Sequence, residues 1–338
     1  MTSKLRVGVI GAGRMGERHC RVYSGLPEAE FIGLTDASHE RGRTTAHKYG
    51  VRYFADHRDL LREVDAVSIA TPTQFHHEIA SDALRAGRHA LVEKPLAASP
   101  TEARDLARLA RTAGVVCQVG HIERYNPVFL ELQLILEDLQ IVGLAARRLS
   151  PFDTSNTDID VVYDLMIHDL DLALTLLGQQ VDRVQAHGRS THMSSADYVV
   201  ASLSFTDGPI ANLTASRLTE QKVRLLEITA LGAYIEADLL NKSIFIYRRT
   251  SPEYIQNHER PLRYRQEGLV ERIHIPTAEP LMLELQDFLR CVREGGEPTV
   301  SVDDGVRALE LAAEVRSCLQ PDVPTIRART PALLAAAS

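Results

Sequence analysis

The stretch Gly11-Ala12-Gly13-Arg14-Met15-Gly16 constrains this chain more than any other. It lies between an apolar run, Leu5 to Ile10, and a segment, Glu17 to Ser24, whose residues suit a helix. In a strand–turn–helix setting the first glycine permits the tight turn and the second lets backbone approach a pyrophosphate. The third allows the helix to pack closely on the strand. The free N–H groups of the helix N-terminus then face the anion. A second strand, Glu30 to Thr35, ends at Asp36, 20 residues beyond Gly16. An acid at that distance accepts hydrogen bonds from an adenosine ribose and repels a 2′-phosphate, which points to NAD over NADP. Arg41 and Arg43 follow closely and offer charge that such a phosphate could use.

The alternation continues. Helix Glu40 to Tyr49, strand Val51 to Phe54, helix Asp56 to Arg62 and strand Ala66 to Ala70 come first. Helix Phe75 to Ala86, strand Ala90 to Val92, helix Pro100 to Ala113 and strand Val115 to Val119 follow. This pattern predicts a doubly wound parallel α/β sheet. Ligands of such sheets bind outside the carboxyl ends of the strands. Three of those ends carry Gly11 to Gly16, Thr71-Pro72 with His76, and Glu93-Lys94-Pro95. The 38 basic residues include only five lysines, so a chain that ordinarily uses Arg for charge keeps a Lys at a strand end.

At 338 residues two domains are expected. We place a Rossmann domain over 1–122 and a substrate-binding and oligomerisation α+β domain over 123–338. A net charge of −7 without a Lys/Arg-dense run argues against nucleic acid as a partner. Cys20, Cys117, Cys291 and Cys318 are scattered, as free thiols in a reducing cytoplasm would be, and suggest no structural zinc. No apolar run reaches the roughly 18 residues of a membrane span, and the first residues lead into a strand rather than a signal peptide. A cytoplasmic protein is the expectation.

In the second half, Arg124, Tyr125 and Asn126 stand at the domain junction ahead of a helix, Pro127 to Gln140. They are candidates to bind substrate in an interdomain cleft; a polar linker is the plainer alternative. The polar loop Ser150 to Asp160 either covers a site or connects two elements. Tyr163 to Leu177 reads as a largely buried helix stopped by Gly178, with Asp164, His168 and Asp171 at i, i+4 and i+7 on one face. A carboxylate beside an imidazole orients the ring and supports its cation, as a general base requires. A solvated stripe is the alternative. A metal site lacks a third ligand at suitable spacing. Runs at Val181 to Arg189, Tyr198 to Phe205, Ile210 to Arg217, Arg224 to Ala230, Tyr234 to Ala237 and Ser243 to Arg248 predict a large, mostly antiparallel open sheet. One face would pack on helices and the other meet a second subunit. The polar excursion Arg249 to Pro280 has no role legible from pattern, and helices Glu284 to Arg293 and Gly305 to Cys318 close the chain.

Gly11 to Gly16, Thr71-Pro72 with His76, and Glu93-Lys94-Pro95 together resemble the glucose–fructose oxidoreductase/inositol dehydrogenase/MocA family, over essentially the whole chain. The resemblance implies that Thr71, Pro72, His76 and Glu93 join Gly11, Gly13, Arg14, Met15, Gly16 and Asp36 in holding NAD. It also implies that Lys94 lies between nicotinamide and substrate. Asp164 and His168 match the family's Asp-x-x-x-His pair, with Met166 where a Gly is usual, which should narrow the pocket. The implied reaction is oxidation of a sugar-like secondary alcohol, with His168 as general base, Asp164 orienting it and Lys94 binding the same oxygen. Whether Lys94 or His168 finally takes the proton stays open. Val119 to Pro127 and Asp164 to Asp171 are similar to the branch that oxidises the 3-hydroxyl of UDP-N-acetylglucosamine ahead of a PLP-dependent aminotransferase, toward a 2,3-diamino sugar for lipid A. That branch implies a UDP-sugar substrate and a homodimer or homotetramer. Another sugar or inositol dehydrogenase, or a non-catalytic NAD sensor, are the alternatives.

Overall fold

The computed structural model describes residues 4–152, 160–178, 180–191, 195–206, 208–249, 253–255, 263–265 and 268–319. The amino-terminal alternation builds strands β1 (Leu5–Ile10), β2 (Ala29–Thr35), β3 (Arg52–Phe54), β4 (Ala66–Ile69), β5 (His89–Glu93) and β6 (Cys117–Gly120). They form one parallel sheet in the order β3-β2-β1-β4-β5-β6. Val67, Ile69, Leu91 and Val92 have no exposed surface, which is why β4 and β5 read as apolar runs rather than alternating ones. Connections run in opposite directions from β1 and β4, and the crevice where dinucleotides bind opens at that reversal.

Helices α1 (Arg14–Gly25), α2 (His39–Tyr49), α3 (His57–Glu63), α4 (His76–Arg85) and α5 (Pro100–Ala113) cover the sheet. The bounds of α5 agree with the expected ones because its end signals are local. The Ser99 side chain accepts from the Glu102 N–H, Pro100 opens the first turn, and Gly114 closes the helix at φ +65°.

The second half contributes α6 (Pro127–Leu136), β7 (Ile141–Leu149), a π-helical turn (Val162–Met166), α7 (Ile167–Leu177), β8 (Val181–Arg189), β9 (Tyr198–Phe205) and β10 (Ile210–Ser216). Then come β11 (Val223–Ala230), β12 (Ala233–Asp238), β13 (Ser243–Arg249), β14 (Glu253–Ile255), β15 (Arg263–Arg265), β16 (Gly268–Ile273), α8 (Pro280–Glu294) and α9 (Val302–Cys318). Eight strands form a second sheet, β16-β13-β12-β11-β7-β10-β9-β8, antiparallel except between β7 and β10. The excursion 249–280, unassigned by pattern, supplies the edge strand β16. Its residues 250–252, 256–262 and 266–267, and residues 153–159 of the polar loop, lie outside the described residues.

The last two helices return to the first domain. Leu281, Leu285, Phe288 and Leu289 of α8 share a core with Val7, Val9, Leu34 and Leu91. Helix α9 starts three residues before the expected Gly305, at a capping box in which Ser301 and Asp304 exchange side-chain and backbone hydrogen bonds. Gly305 serves packing instead, since a Cβ there would lie 2.5 Å from the Val119 side chain on β6. No helix among the described residues is long and apolar enough to cross a membrane.

Candidate active site

A cleft of about 1740 Å³ opens at the carboxyl ends of β1, β4, β5 and β6 and continues to the ends of β7, β10 and β11. Gly11 has φ +95°, and a Cβ on it would stand 2.7 Å from the Ala70 carbonyl oxygen. Gly16 lies behind the cleft, where a Cβ would come within 1.7 Å of the Gly11 oxygen, so helix α1 can seat itself only on glycine there. Gly13 differs. It lines the cleft, and a Cβ on it would meet nothing within 4 Å, which leaves room for a group to lie against the backbone. Arg14, Met15, Thr71 and Pro72 line the same wall, and the buried Thr71 Oγ1 has no hydrogen-bond partner. These features fit a dinucleotide pyrophosphate.

Asp36 closes this end. Its carboxylate accepts from the Ala12 N–H at 2.6 Å and the Ser38 N–H at 2.7 Å, and pairs with Arg41 at 2.8 Å. Burial alone would raise its pKa, but Arg41 and the two backbone donors hold it below the usual carboxylate range. Arg41, half exposed, is thus tied to the acid that faces the ribose position.

Two residues expected at the cofactor do something else or something more. His76 does not reach the cleft. It is buried behind it, one ring nitrogen 2.8 Å from the Thr71 carbonyl and the other 2.8 Å from that of Pro95, and it braces the β4 and β5 strand ends against each other. Burial lowers its pKa. Glu93 does line the cleft, and its carboxylate is held at 3.0 Å by His19, a fully buried residue of α1 that no motif singles out. Burial pushes Glu93 up, yet the His19 bond and the nearby Lys94 charge leave it lowered.

Lys94 joins the two domains. Its ammonium donates to the Asp164 backbone oxygen at 2.7 Å and to the Asp164 carboxylate at 3.3 Å. Asp164 also pairs with Arg217 at 2.8 Å, and these two cations overcome burial to hold its pKa down. The expected Asp164–His168 hydrogen bond is absent. Asp164 sits in the π-helical turn and His168 on α7, so the two do not keep simple α spacing; π-turns of this kind gather at functional sites. His168 lines the cleft with Nδ1 buried and unpartnered, and its ring meets His121 edge-on at 6.4 Å. Burial first, then the Lys94 charge, push its pKa well below the usual imidazole range, so the ring is neutral at pH 7. Asp171, placed on the same face by spacing, turns away, buried beside Arg124. Met166 is fully buried in the core and does not narrow the cleft.

Arg124, Tyr125 and Asn126 are brought to the junction but not to the cleft. Arg124 donates to the Thr299 carbonyl oxygen, Thr175 and Asp171, while Tyr125 donates to Asp287 at 2.8 Å. Asn126 caps α6 by accepting from the Val128 N–H, and its amide donates to Glu123 and Leu239. A residue that caps a helix has its geometry fixed by the backbone and is not free to follow a ligand. Replacing Asn126 with Ala should therefore cost about 1–2 kcal/mol of stability, read as a lower denaturant midpoint, and leave the KM for substrate unchanged. A raised KM at unchanged stability would return Asn126 to the binding site.

The cations that do line the cleft come from strand register. Arg148 follows Leu144 and Ala146 on the inward face of β7, and Arg224 precedes Leu226 and Ile228 on that of β11. The two stand directly opposite each other in the ladder. Glu123 accepts from both, at 2.8 and 2.9 Å, and Asp169 binds Arg148 at 2.7 Å. An arginine in phase with buried apolar residues is a signal that the alternation already contained.

A family model described as "Oxidoreductase family, NAD-binding Rossmann fold" matches residues 5–121, and one for the GFO/IDH/MocA C-terminal domain matches residues 148–233. The chain is 33% identical over 325 residues to UDP-N-acetylglucosamine 3-dehydrogenase of Acidithiobacillus ferrooxidans, covering 94% of this chain and 97% of that one. A solved structure of that enzyme superposes with a TM-score of 0.86 over 94% of this chain and 98% of that one. Scyllo-inositol 2-dehydrogenase (NAD(+)) of Bacillus subtilis is 26% identical, over 96% of each chain. The structure of GenD2 from gentamicin A biosynthesis, in complex with NAD, is 25% identical with a TM-score of 0.79, over 94% of this chain and 95% of that one.

Proposed function

The chain belongs to the GFO/IDH/MocA oxidoreductase family and is an NAD-dependent sugar dehydrogenase, and from that premise we propose that it oxidises the 3-hydroxyl of UDP-N-acetylglucosamine to a 3-keto group. The observation that carries the reading is the contact of Lys94, just after β5, with Asp164, in the π-helical turn before α7, with His168 on the same cleft. Gly11, Gly13, Arg14, Met15, Asp36, Thr71, Pro72 and Glu93 would hold NAD. When bound, NAD accepts the hydride released from the sugar carbon.

The remaining work falls to side chains. Asp164 aims the Lys94 side chain, so Lys94 acts as a donor to the substrate oxygen and stabilises the alkoxide as it forms. His168, kept neutral by burial and lining the same cleft, is the base. The imidazolium so formed lacks the carboxylate partner of a charge-paired histidine. Lys94 becomes less of a burden to it only as the alkoxide neutralises that charge. Proton transfer to His168 is therefore coupled to development of charge on the substrate oxygen.

The product, a 3-keto sugar nucleotide, is a substrate for transamination by a PLP enzyme, and we place the reaction ahead of a 2,3-diamino sugar for lipid A, in the cytoplasm. The open face of the second sheet, where the Tyr234 and Tyr247 rings meet at a tilt with centroids 5.8 Å apart beside an Arg147–Glu227 pair, would join subunits into a homodimer or homotetramer. The direct test is incubation with NAD and UDP-N-acetylglucosamine, following NADH and the keto product. Turnover of free inositols in place of UDP-N-acetylglucosamine would overturn the substrate in favour of the inositol branch. Tight NAD binding with no turnover of any polyol would favour a sensor.

A further inference from the structure

We propose that Lys222 and Arg224, at the start of β11, form a subsite for the diphosphate of a nucleotide-linked substrate. The inference rests on the reading that the substrate is a nucleotide sugar. Its support is a cation on the cleft, Lys222, that no carboxylate among the described residues pairs with, next to a half-committed arginine, Arg224.

Five cations line the substrate end of the cleft: Lys94, Arg148, Arg217, Lys222 and Arg224. Among the described residues, Asp164 pairs with Lys94 and Arg217, Glu123 with Arg148 and Arg224, and Asp169 with Arg148, while Glu93 lines the cleft next to Lys94. Asp160 also lines the cleft but is matched by Arg316 at 3.0 Å. Burial keeps His168 neutral. Among the described residues, Lys222 is the one of these five cations with no paired carboxylate.

Lys222 is exposed and, among the described residues, its ammonium meets no hydrogen-bond or ion-pair partner. Two of the chain's five lysines, Lys94 and Lys222, face this one cleft. Arg224, two residues on, gives a single N–H to Glu123 at 2.9 Å and is 40% exposed in its side chain. Among the described residues its other donors are uncommitted. Arg148 stands opposite it in the ladder, and Glu123 accepts from both.

A point charge on a flexible stem beside a planar guanidinium suits two adjacent phosphoryl groups, each with one negative charge. A neutral polyol would have no use for either. The pyrophosphate of the dinucleotide has its own place at the glycine turn before α1, so this second basic site serves a second anion.

The test is calorimetric binding of UDP, with uridine as comparator, to the full chain saturated with NADH. Lys222 holds nothing in the fold, so Lys222→Glu should fold normally, and Lys222→Ala/Arg224→Ala is the second variant. Both should weaken UDP by about tenfold or more, leave the NADH affinity unchanged and leave uridine, a weak ligand, unaltered. Added salt should weaken UDP binding to the wild-type protein. Wild-type UDP affinity in both variants, or no UDP binding by the NADH-saturated wild type, overturns the subsite. Turnover of UDP-N-acetylglucosamine decides the substrate separately. A protein that oxidises it while both variants bind UDP normally keeps the function and loses the subsite. A protein that does not oxidise it but loses UDP with Lys222→Glu keeps the subsite and loses that sugar.

Discussion

Lys94→Ala and His168→Ala are each expected to lower kcat by about two orders of magnitude or more, the scale of a lost acid–base or charge-stabilising group, while NADH still binds. The structure gives each loss a distinct origin. Without Lys94 the Asp164 carboxylate retains Arg217 at 2.8 Å, so it is not stranded, and what disappears is the donor aimed at the substrate oxygen. Without His168 the proton has no neutral base to enter. His168→Gln, which keeps more of the buried volume, separates that loss from a packing defect around His121. The pH profile supplies a second readout. Because burial and Lys94 hold the His168 pKa well below the ordinary 6.5, the ring stays neutral as pH falls through that value. The kcat/KM of the wild-type protein should therefore stay level there and fall only at lower pH, when the ring takes a proton before substrate arrives. Wild-type turnover in either Ala variant would remove that residue from the scheme.

The second large effect concerns the cofactor. Asp36→Ala is expected to lower the ratio of kcat/KM with NAD to that with NADP by about two orders of magnitude, from loss of charge-assisted bonds to the ribose worth about 1.5–3 kcal/mol and of repulsion toward a 2′-phosphate. Arg41 magnifies the change. In the intact protein its guanidinium is bound to Asp36 through two nitrogens, at 3.1 and 2.8 Å. Once the carboxylate is gone, it is free to pair with the phosphate instead. Arg41→Ala alone should leave the NAD preference in place, because the acid remains. An unchanged ratio in Asp36→Ala would show that discrimination lies elsewhere.

The nucleotide half was legible because its signals are local and its geometry is repeated. A glycine turn, an acid after the next strand and strand ends carrying polar residues each follow from a few adjacent positions. The helices that open on Ser99 and Pro100 or close on Gly114 carry their own punctuation. The Lys94 position was equally legible. Reading from residue type and from resemblance failed where a side chain had another use for its polarity. Asn126 looked like a ligand donor and is a helix cap; His76 looked like a cofactor contact and is a brace between two carbonyls. Both uses depend on where backbone groups from other segments lie.

By itself, then, the sequence determined a parallel NAD-binding sheet, an antiparallel sheet behind it, and the candidates Lys94, Asp164 and His168 on which the proposed chemistry rests. Such features arise from contacts between near neighbours in the chain. Only the tertiary structure decided how those residues share their charges. Lys94 and Asp164 are 70 positions apart and Asp164 and Arg217 are 53, and the π-helical turn aims the carboxylate at the two cations instead of at His168. Helical spacing would have given Asp164 to the histidine. Charge pairing across the domains gave it to the lysine, because a buried carboxylate is stabilised most by the cations that reach it, wherever in the chain they begin.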